Sequence, residues 1–365
     1  MVEAGNDNWN LKNTVTRTLP VPNVQSIADA SDNCTEIPEK YVIPEINDSL
    51  VLNGAAAGPS DLPIIDFSRL CEQSEEEIAK LSLACEDWGY FLGINHGVPD
   101  EVIENMKVAI IEFFRLPLEE KKVYAKQPNT GFEGYAQTFV ISEKPKVVSG
   151  EKYILSTRTV ARRNMKLWTQ NPPTFKDALD QFTEEIQKVA NTVFESIGKS
   201  LKLDKFIDNF KDCQQSVRIN YYPPCPHASN VLGIPPHTDT VGLTVVLQVN
   251  EVHGLQIKKN GVWLPINPLP GALIVNSGDI IEIMSNGKYK SLEHRAVVNS
   301  EQERFSIATF HGPRADAQIG PLPAETPAKS EAFYYKTVSF QDYSRMVFAH
   351  KDDGKNILDA KVMIS

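Results

Sequence analysis

The chain has 365 residues, enough for two domains or one large one and ample for a substantial core. Its 47 acidic and 37 basic residues leave a formal net charge of -10, a field that repels nucleic acid and anionic membranes, so neither is expected as a partner. Hydrophobic residues at 41% and charged residues at 23% describe an ordinary globular protein, and no apolar run approaches the roughly 18 residues that a membrane helix needs.

The first 60 residues lack sustained periodicity and close on Gly54-Ala55-Ala56-Ala57-Gly58-Pro59-Ser60, which reads as an extension ending in a flexible linker. They open on no apolar signal-peptide core, and the five cysteines form no Cys-x-x-Cys pair. Reduced thiols and a cytoplasmic location are the expectation. Leu62 to Phe67 predicts the first strand. Ser74-Glu75-Glu76-Glu77 is a capping box, in which the serine hydroxyl takes the amide three residues on while Glu77 reaches back. The helix it opens carries Ile78, Leu81 and Cys85 on its inner face; Trp88 to Ile94 then predicts a strand and Asp100 to Phe114 a second helix. Leu179, Phe182, Ile186, Val189, Val193, Ile197 and Leu201 recur at three- and four-residue steps, which predicts a long amphipathic helix. Beyond residue 215 come short β-rich runs: Ser216 to Tyr222, Leu243 to Val249, Leu255 to Lys258, Ala272 to Ser277, Ser291 to Val298 and Phe305 to His311. The expected class is α+β, with a jelly roll behind an N-terminal helical and strand region. The expected divisions are an extension and linker at 1–60, a bracing region at 61–212, the jelly roll at 213–350 and a tail at 351–365.

Within the strand-rich half, His237-Thr238-Asp239 is followed by His294 and then by Arg304-Phe305-Ser306. Two imidazoles and one carboxylate can hold Fe(II) on one octahedral face, leaving three positions for a bidentate cosubstrate and dioxygen. If His237 to Asp239 is extended, the period of two puts both side chains on one strand face, and His294 joins them from another strand. Arg304 and Ser306 share a face of the next strand, where a planar guanidinium fork and a hydroxyl can converge on one carboxylate. A second His-x-Asp, at His350-Lys351-Asp352, has no histidine or arginine after it and reads as part of a solvated tail. Asn220 and Tyr222 alternate on one strand face and could reach the same pocket, although a buried tyrosine satisfied by backbone fits the sequence as well.

These motifs, with Asn220-Tyr221-Tyr222-Pro223-Pro224-Cys225, Gly254-Leu255-Gln256-Ile257, Val275-Asn276-Ser277-Gly278-Asp279 and Trp88-Gly89-Tyr90-Phe91, resemble the plant soluble 2-oxoglutarate- and Fe(II)-dependent dioxygenases over residues 60–350. The branch most resembled is the senescence-related and codeine O-demethylase-like one. The resemblance implies a double-stranded β-helix (jelly roll, cupin-like) core braced by helices. It implies Fe(II) held by His237, Asp239 and His294, and 2-oxoglutarate held by Arg304 and Ser306 with help from Tyr222 and Asn220. Dioxygen would be the oxidant and ascorbate the supporting reductant. The implied reaction turns 2-oxoglutarate into succinate and carbon dioxide while hydroxylating, or demethylating at oxygen or nitrogen, a small and mostly apolar plant metabolite of phenolic, alkaloid or hormone-like type. Phe310, Tyr153 and the segment from Phe132 to Phe139 are the substrate walls it suggests, with the chain a monomer and the small molecule its partner.

One departure stands out. The relatives carry an acidic residue and a tryptophan near Val148-Ser149, so their substrates do not transfer to this chain. Two other readings stay open at this point. An oxidase of the same fold that uses ascorbate in place of 2-oxoglutarate would also keep Arg-x-Ser, and labelled succinate separates it. A non-catalytic jelly-roll binding protein would be marked by loss of a metal ligand or of the arginine, and all four residues are present.

Overall fold

The structure, a computed structural model, describes residues 62–127, 131–136, 150–203, 206–225, 228, 231–322 and 335–350. The expected extension, the departure at Val148-Ser149, the stretch toward Phe139 and the tail lie outside the described residues.

The first strand, β1 (Ile64–Asp66), is shorter than predicted, because Asp66 caps a helix over α1 (Phe67–Cys71) by accepting from the Ser68 amide at 2.9 Å. Next comes α2 (Glu75–Asp87), where only half of the predicted capping box forms. Ser74 Oγ accepts from the Glu77 amide at 3.4 Å, but the buried Glu77 carboxylate accepts from the Asp66 amide at 2.8 Å. Glu77 therefore ties the helix to β1 instead of closing its own turn. β2 (Tyr90–Ile94), α3 (Asp100–Arg115), α4 (Leu118–Lys122), β3 (Gly134–Ala136) and β4 (Glu151–Arg158) follow. The long helix is α5 (Phe175–Leu201), and Leu179, Phe182, Ile186, Val189, Val193 and Ile197 are all buried on its inner face.

The second half supplies β5 (Gln214–Tyr222), β6 (Leu232–His237), β7 (Leu243–Gln248), β8 (Leu255–Lys259), β9 (Val262–Pro265), β10 (Leu273–Ser277), the short α6 (Asp279–Met284), β11 (His294–Val297) and β12 (Arg304–Gly312). A small ribbon, β13 (Gln318–Ile319) with β14 (Val338–Ser339), leads into α7 (Phe340–His350). An eight-stranded sheet runs β1-β2-β10-β7-β12-β5-β4-β3, and a four-stranded sheet runs β6-β11-β8-β9, together forming the jelly-roll core. Among the strands from β5 to β12, two were not foreseen. β6 contains Pro235 and Pro236, which lack backbone donors and obscure a strand in the sequence. β9 returns along β8 through Asn260-Gly261, both at positive φ (52° and 79°), the signature of a tight hairpin.

The large sheet has one face toward the helices and one toward the small sheet. Val217, Ile219 and Tyr221 of β5, Val245 and Leu247 of β7, and Phe305 and Ile307 of β12 join α3 and α5 in one apolar core. Burying side chains of this size contributes about 1.5–3 kcal/mol each. The alternate residues, among them Arg218, Asn220 and Tyr222 of β5 and Arg304, Ser306 and Phe310 of β12, lie on the opposite face. Between the sheets, Tyr90, Val246, Ile257 and Ile274 form a second apolar cluster. Among the described residues no helix is long and apolar enough to cross a membrane.

His311 lies on the helix-facing side of β12, fully buried beside Gln215, and burial pushes its pKa down from 6.5 to about 3. The folded chain keeps it neutral while the unfolded chain protonates, so its contribution is present above the unfolded value and is lost as pH falls toward the folded one. His311→Gln should make the decline of stability below about pH 6.5 shallower by about 1.4 kcal/mol per pH unit, the slope of one proton. Urea denaturation at about pH 7, 6 and 5 checks this, and an unchanged slope would mean that folded His311 takes up the proton.

Candidate active site

β6 and β11 pair antiparallel with His294 opposite His237, and the two rings are 4.2 Å apart. A carbonyl accepts from Nδ1 of each ring: Pro235 O at 2.9 Å for His237, and Leu292 O at 3.3 Å for His294. Because a carbonyl can only accept, the proton sits on Nδ1 and the Nε2 lone pair is left for a metal. Both Nε2 atoms face Asp239 Oδ1, at 3.7 and 3.6 Å.

The expectation that Asp239 shares a strand face with His237 does not hold, since β6 ends at His237 and the chain turns. Asp239 is positioned by other contacts. Its carbonyl accepts from the Asp279 amide at 2.8 Å, and its Oδ2 accepts from Thr244 Oγ1 at 2.7 Å and Asn276 Nδ2 at 2.9 Å. Thr238 Oγ1 in turn donates to Asp279 Oδ2 at 3.2 Å. With Oδ2 occupied, Oδ1 is the atom left to bind. Donor atoms of His237, Asp239 and His294 all lie within 4.8 Å of one another, and two neutral nitrogens with one anionic oxygen fit a divalent iron. Burial, followed by the facing His294, pushes the His237 pKa down to about 3. Burial alone would raise Asp239, but the His294 and His237 rings and the Asn276 and Thr244 donors bring it below the usual carboxylate value. His237 and Asp239 are thus unprotonated at neutral pH, as metal binding requires.

Arg304 and Ser306 stand opposite Tyr222 and Asn220 in the β12–β5 register, and all four are buried. Arg304 donates to Gln248 Oε1 at 2.8 Å, yet no carboxylate among the described residues pairs with it. Its guanidinium lies beside the Tyr222 ring, and among the described residues neither its Nε nor the Tyr222 hydroxyl bonds to any third group. Gly254 gives the arginine its room, because a Cβ there would stand 2.6 Å from Arg304 Cδ. A buried cation with spare donors beside a hydroxyl and a phenol suits a carboxylate ligand.

The expected substrate walls fare differently. Phe310 is partly buried on the pocket side of β12, opposite Ser216 and Thr244. Tyr153 is turned away from that face: it pairs with Ile219, stacks on Phe113 at 4.5 Å and donates its hydroxyl to the Leu167 carbonyl. The β4 register puts Lys152 and Ile154 on the pocket side instead, an alternation that sequence alone left unphased. Phe132 is 42% exposed and walls nothing in the described residues. The sequence reading gave no role to Thr244, Gln248, Asn276 or Arg218. The available signal was polar residues confined to one face of an otherwise apolar strand, as in Thr244 and Gln248 on either side of Val246.

The profile of the 2OG-Fe(II) oxygenase superfamily matches residues 213–313, and that of the N-terminal region of the non-haem dioxygenase in morphine synthesis matches residues 62–173. The 2-oxoglutarate-dependent dioxygenase 11 of Oryza sativa subsp. japonica is 43% identical over 344 residues, covering 93% of this chain and 95% of its own length. Codeine O-demethylase of Papaver somniferum is 39% identical over 355 residues, covering 93% and 96%. The crystal structure of JOX2 in complex with 2OG, Fe and JA matches with a TM-score of 0.80 at 32% identity, covering 90% of this chain and 94% of that one.

Gly278 precedes α6, and a Cβ on it would lie 2.8 Å from the Asp239 carbonyl oxygen and closer still to that of Val241. Gly278→Ala should push α6 off the turn that carries Asp239, an overpacking effect of about 1–3 kcal/mol that, carried into the metal site, lowers divalent-metal affinity about 5- to 150-fold. Calorimetric titration with Mn(II) measures it, and wild-type affinity would mean that the turn holds its shape without α6.

Proposed function

Because the chain belongs to the 2OG-Fe(II) oxygenase superfamily and is a 2-oxoglutarate-dependent dioxygenase, we propose that His237, Asp239 and His294 hold its iron and that Arg304, Ser306, Tyr222 and Asn220 hold its 2-oxoglutarate. The observation that carries this reading is Arg304, a buried guanidinium with no anionic partner among the described residues. Iron, when bound, supplies the dioxygen chemistry that couples decarboxylation of 2-oxoglutarate to succinate with oxidation of a substrate C–H bond. The chain supplies orientation. The Nδ1 contacts with Pro235 and Leu292 keep both Nε2 atoms available, and the Thr244 and Asn276 donors leave Asp239 with one free oxygen. Arg304 and Ser306 take the far carboxylate of 2-oxoglutarate, with Gln248 keeping the guanidinium in place. The apolar cluster of Tyr90, Val246, Ile257 and Ile274 between the sheets excludes water and strengthens these interactions.

The substrate in this reading is a small, mostly apolar molecule that is hydroxylated, or demethylated through hydroxylation of a methyl carbon. Phe310 is its aromatic wall, supported by its place on the pocket side of β12. Residues 61–212 act as the bracing region and 213–350 as the catalytic jelly roll. A monomer with no nucleic-acid partner is consistent with the net charge of -10.

Removing one member of a buried charge pair costs about 3–5 kcal/mol, so Arg304→Ala should raise the 2-oxoglutarate requirement by at least about two orders of magnitude while metal binding survives. Arg304→Lys should be intermediate, keeping the charge without the fork. Succinate formation across a 2-oxoglutarate titration is the measurement; unchanged saturation in Arg304→Ala would move the clamp elsewhere. Asp239→Ala and His294→Ala should each lose the metal and turnover with the fold intact, and near-normal activity of both with added iron would sink the ligand assignment.

A further inference from the structure

Resting on the reading that Arg304 and Ser306 take the far carboxylate, we propose that Arg218 is a positioning residue that sets the direction of the Ser306 O–H bond through Asn220. Arg218 sits two residues before Asn220 on the pocket side of β5, and its Nε donates to Asn220 Oδ1 at 2.8 Å. A guanidinium has donors only, so it decides which end of the Asn220 amide faces it: the oxygen. The nitrogen end is thereby turned toward β12, where Asn220 stands opposite Ser306 and Nδ2 lies 3.4 Å from Ser306 Oγ. The same Nδ2 is 3.4 Å from the Arg218 carbonyl, a second acceptor consistent with that orientation.

An amide NH2 can only donate, so Ser306 Oγ is an acceptor on that side and its single proton is free for the pocket. The opposite amide orientation would draw the serine proton to Asn220 Oδ1 and turn serine lone pairs toward an arriving carboxylate. Arg218 makes no ion pair among the described residues that would compete for its Nε, and its register partners on either side, Ile154 and Ala308, bring no acceptor side chain. The path is Arg218 to Asn220 to Ser306 to carboxylate, each link donating to the next. Arg218 itself touches no reacting atom in it.

The test is calorimetric titration of the full chain carrying Mn(II) in place of Fe(II), with 2-oxoglutarate and with 2-oxopentanoate, which has the same chain length but no far carboxylate. Arg218→Met should weaken 2-oxoglutarate about tenfold, the size of one hydrogen bond to a charged group, and 2-oxopentanoate by less than about twofold. In a Ser306→Ala background Arg218→Met should add no further loss, because a double-mutant cycle removes the link it acts through. Arg218→Lys, which keeps a donor, should recover most of the affinity. Equal losses for both ligands, an undiminished loss in the Ser306→Ala background, or wild-type 2-oxoglutarate affinity would each overturn the proposal. If Arg218→Met does not fold, Asn220→Asp serves in its place: it keeps an acceptor toward Arg218 and removes the donor toward Ser306, and it must show the same ligand-selective loss. Arg304→Ala titrated alongside separates the two readings, since full affinity there fails the clamp itself, whereas a normal clamp with an unselective Arg218→Met fails only the relay.

Discussion

The register between β5 and β12 is the constraint on which the rest depends. In one alignment it sets Ile219 opposite Ile307 on the helix side and Asn220 opposite Ser306 on the pocket side, with Tyr222 opposite Arg304 one step further. A slip of one residue would exchange the faces, driving Arg304 into the core built by α3 and α5 and bringing Phe305 and Ile307 into the pocket. Burying an unpaired guanidinium among phenylalanines is among the costliest placements available to a chain. The apolar core thus specifies the polar site. Helix α5 contributes nothing chemical, but by burying alternate residues of the sheet it phases the strands that carry the chemistry.

The site that results carries charges that its own residues do not balance. Arg304 and Arg218 lie in it with no carboxylate partner among the described residues, and the ring of His237 is held neutral beside Asp239. Such an arrangement is destabilising for the fold and favourable for ligands, because the desolvation penalty is met on folding and need not be met again on binding. Orientation comes mainly from neutral donors and acceptors: backbone carbonyls for the imidazoles, Thr244 and Asn276 for Asp239, Gln248 for Arg304. Neutral partners fix geometry without cancelling the charges that the ligands must meet.

Much of this was legible in the sequence, and the limits have physical causes. The long helix and the strands carrying Arg304, Tyr222 and Leu243 could be read because their periods are strong and their outer faces differ from their inner ones. β6 could not, since Pro235 and Pro236 break the donor pattern of a strand that pairs with β11 nonetheless. The two-residue spacing of His237 and Asp239 suggested a shared strand face; it is instead a strand end followed by a turn, held by tertiary contacts to Asp279, Thr244 and Asn276 that no local pattern encodes. Tyr153 shows the same limit from the other side. An aromatic in a short strand belongs to one face or the other, and only the pairing with β5 decides which.

That pairing also bears on how labour is divided along the chain. β1 and β2 extend the large sheet beyond β10, and β3 and β4 extend it beyond β5, so both ends of the sheet come from the first half of the sequence. The metal and cosubstrate groups fall within the second half, between Asn220 and Ser306. The first half nevertheless reaches the pocket: Tyr90 of β2 sets its ring against His294 at 5.8 Å, and Lys152 and Ile154 of β4 occupy the pocket face beside Asn220 and Arg218. A change in β4 can therefore reshape the wall near Arg218 without touching His237, Asp239 or His294, whereas β6, β11 and β12 carry residues proposed to hold iron and 2-oxoglutarate. In the proposed reading, substrate choice falls on β4 of the large sheet, and reaction chemistry on β12 of that sheet with β6 and β11 of the small one. This is the arrangement expected where one reaction is fitted to many small molecules, because the rigid strands that hold the chemistry need not move when the wall is altered.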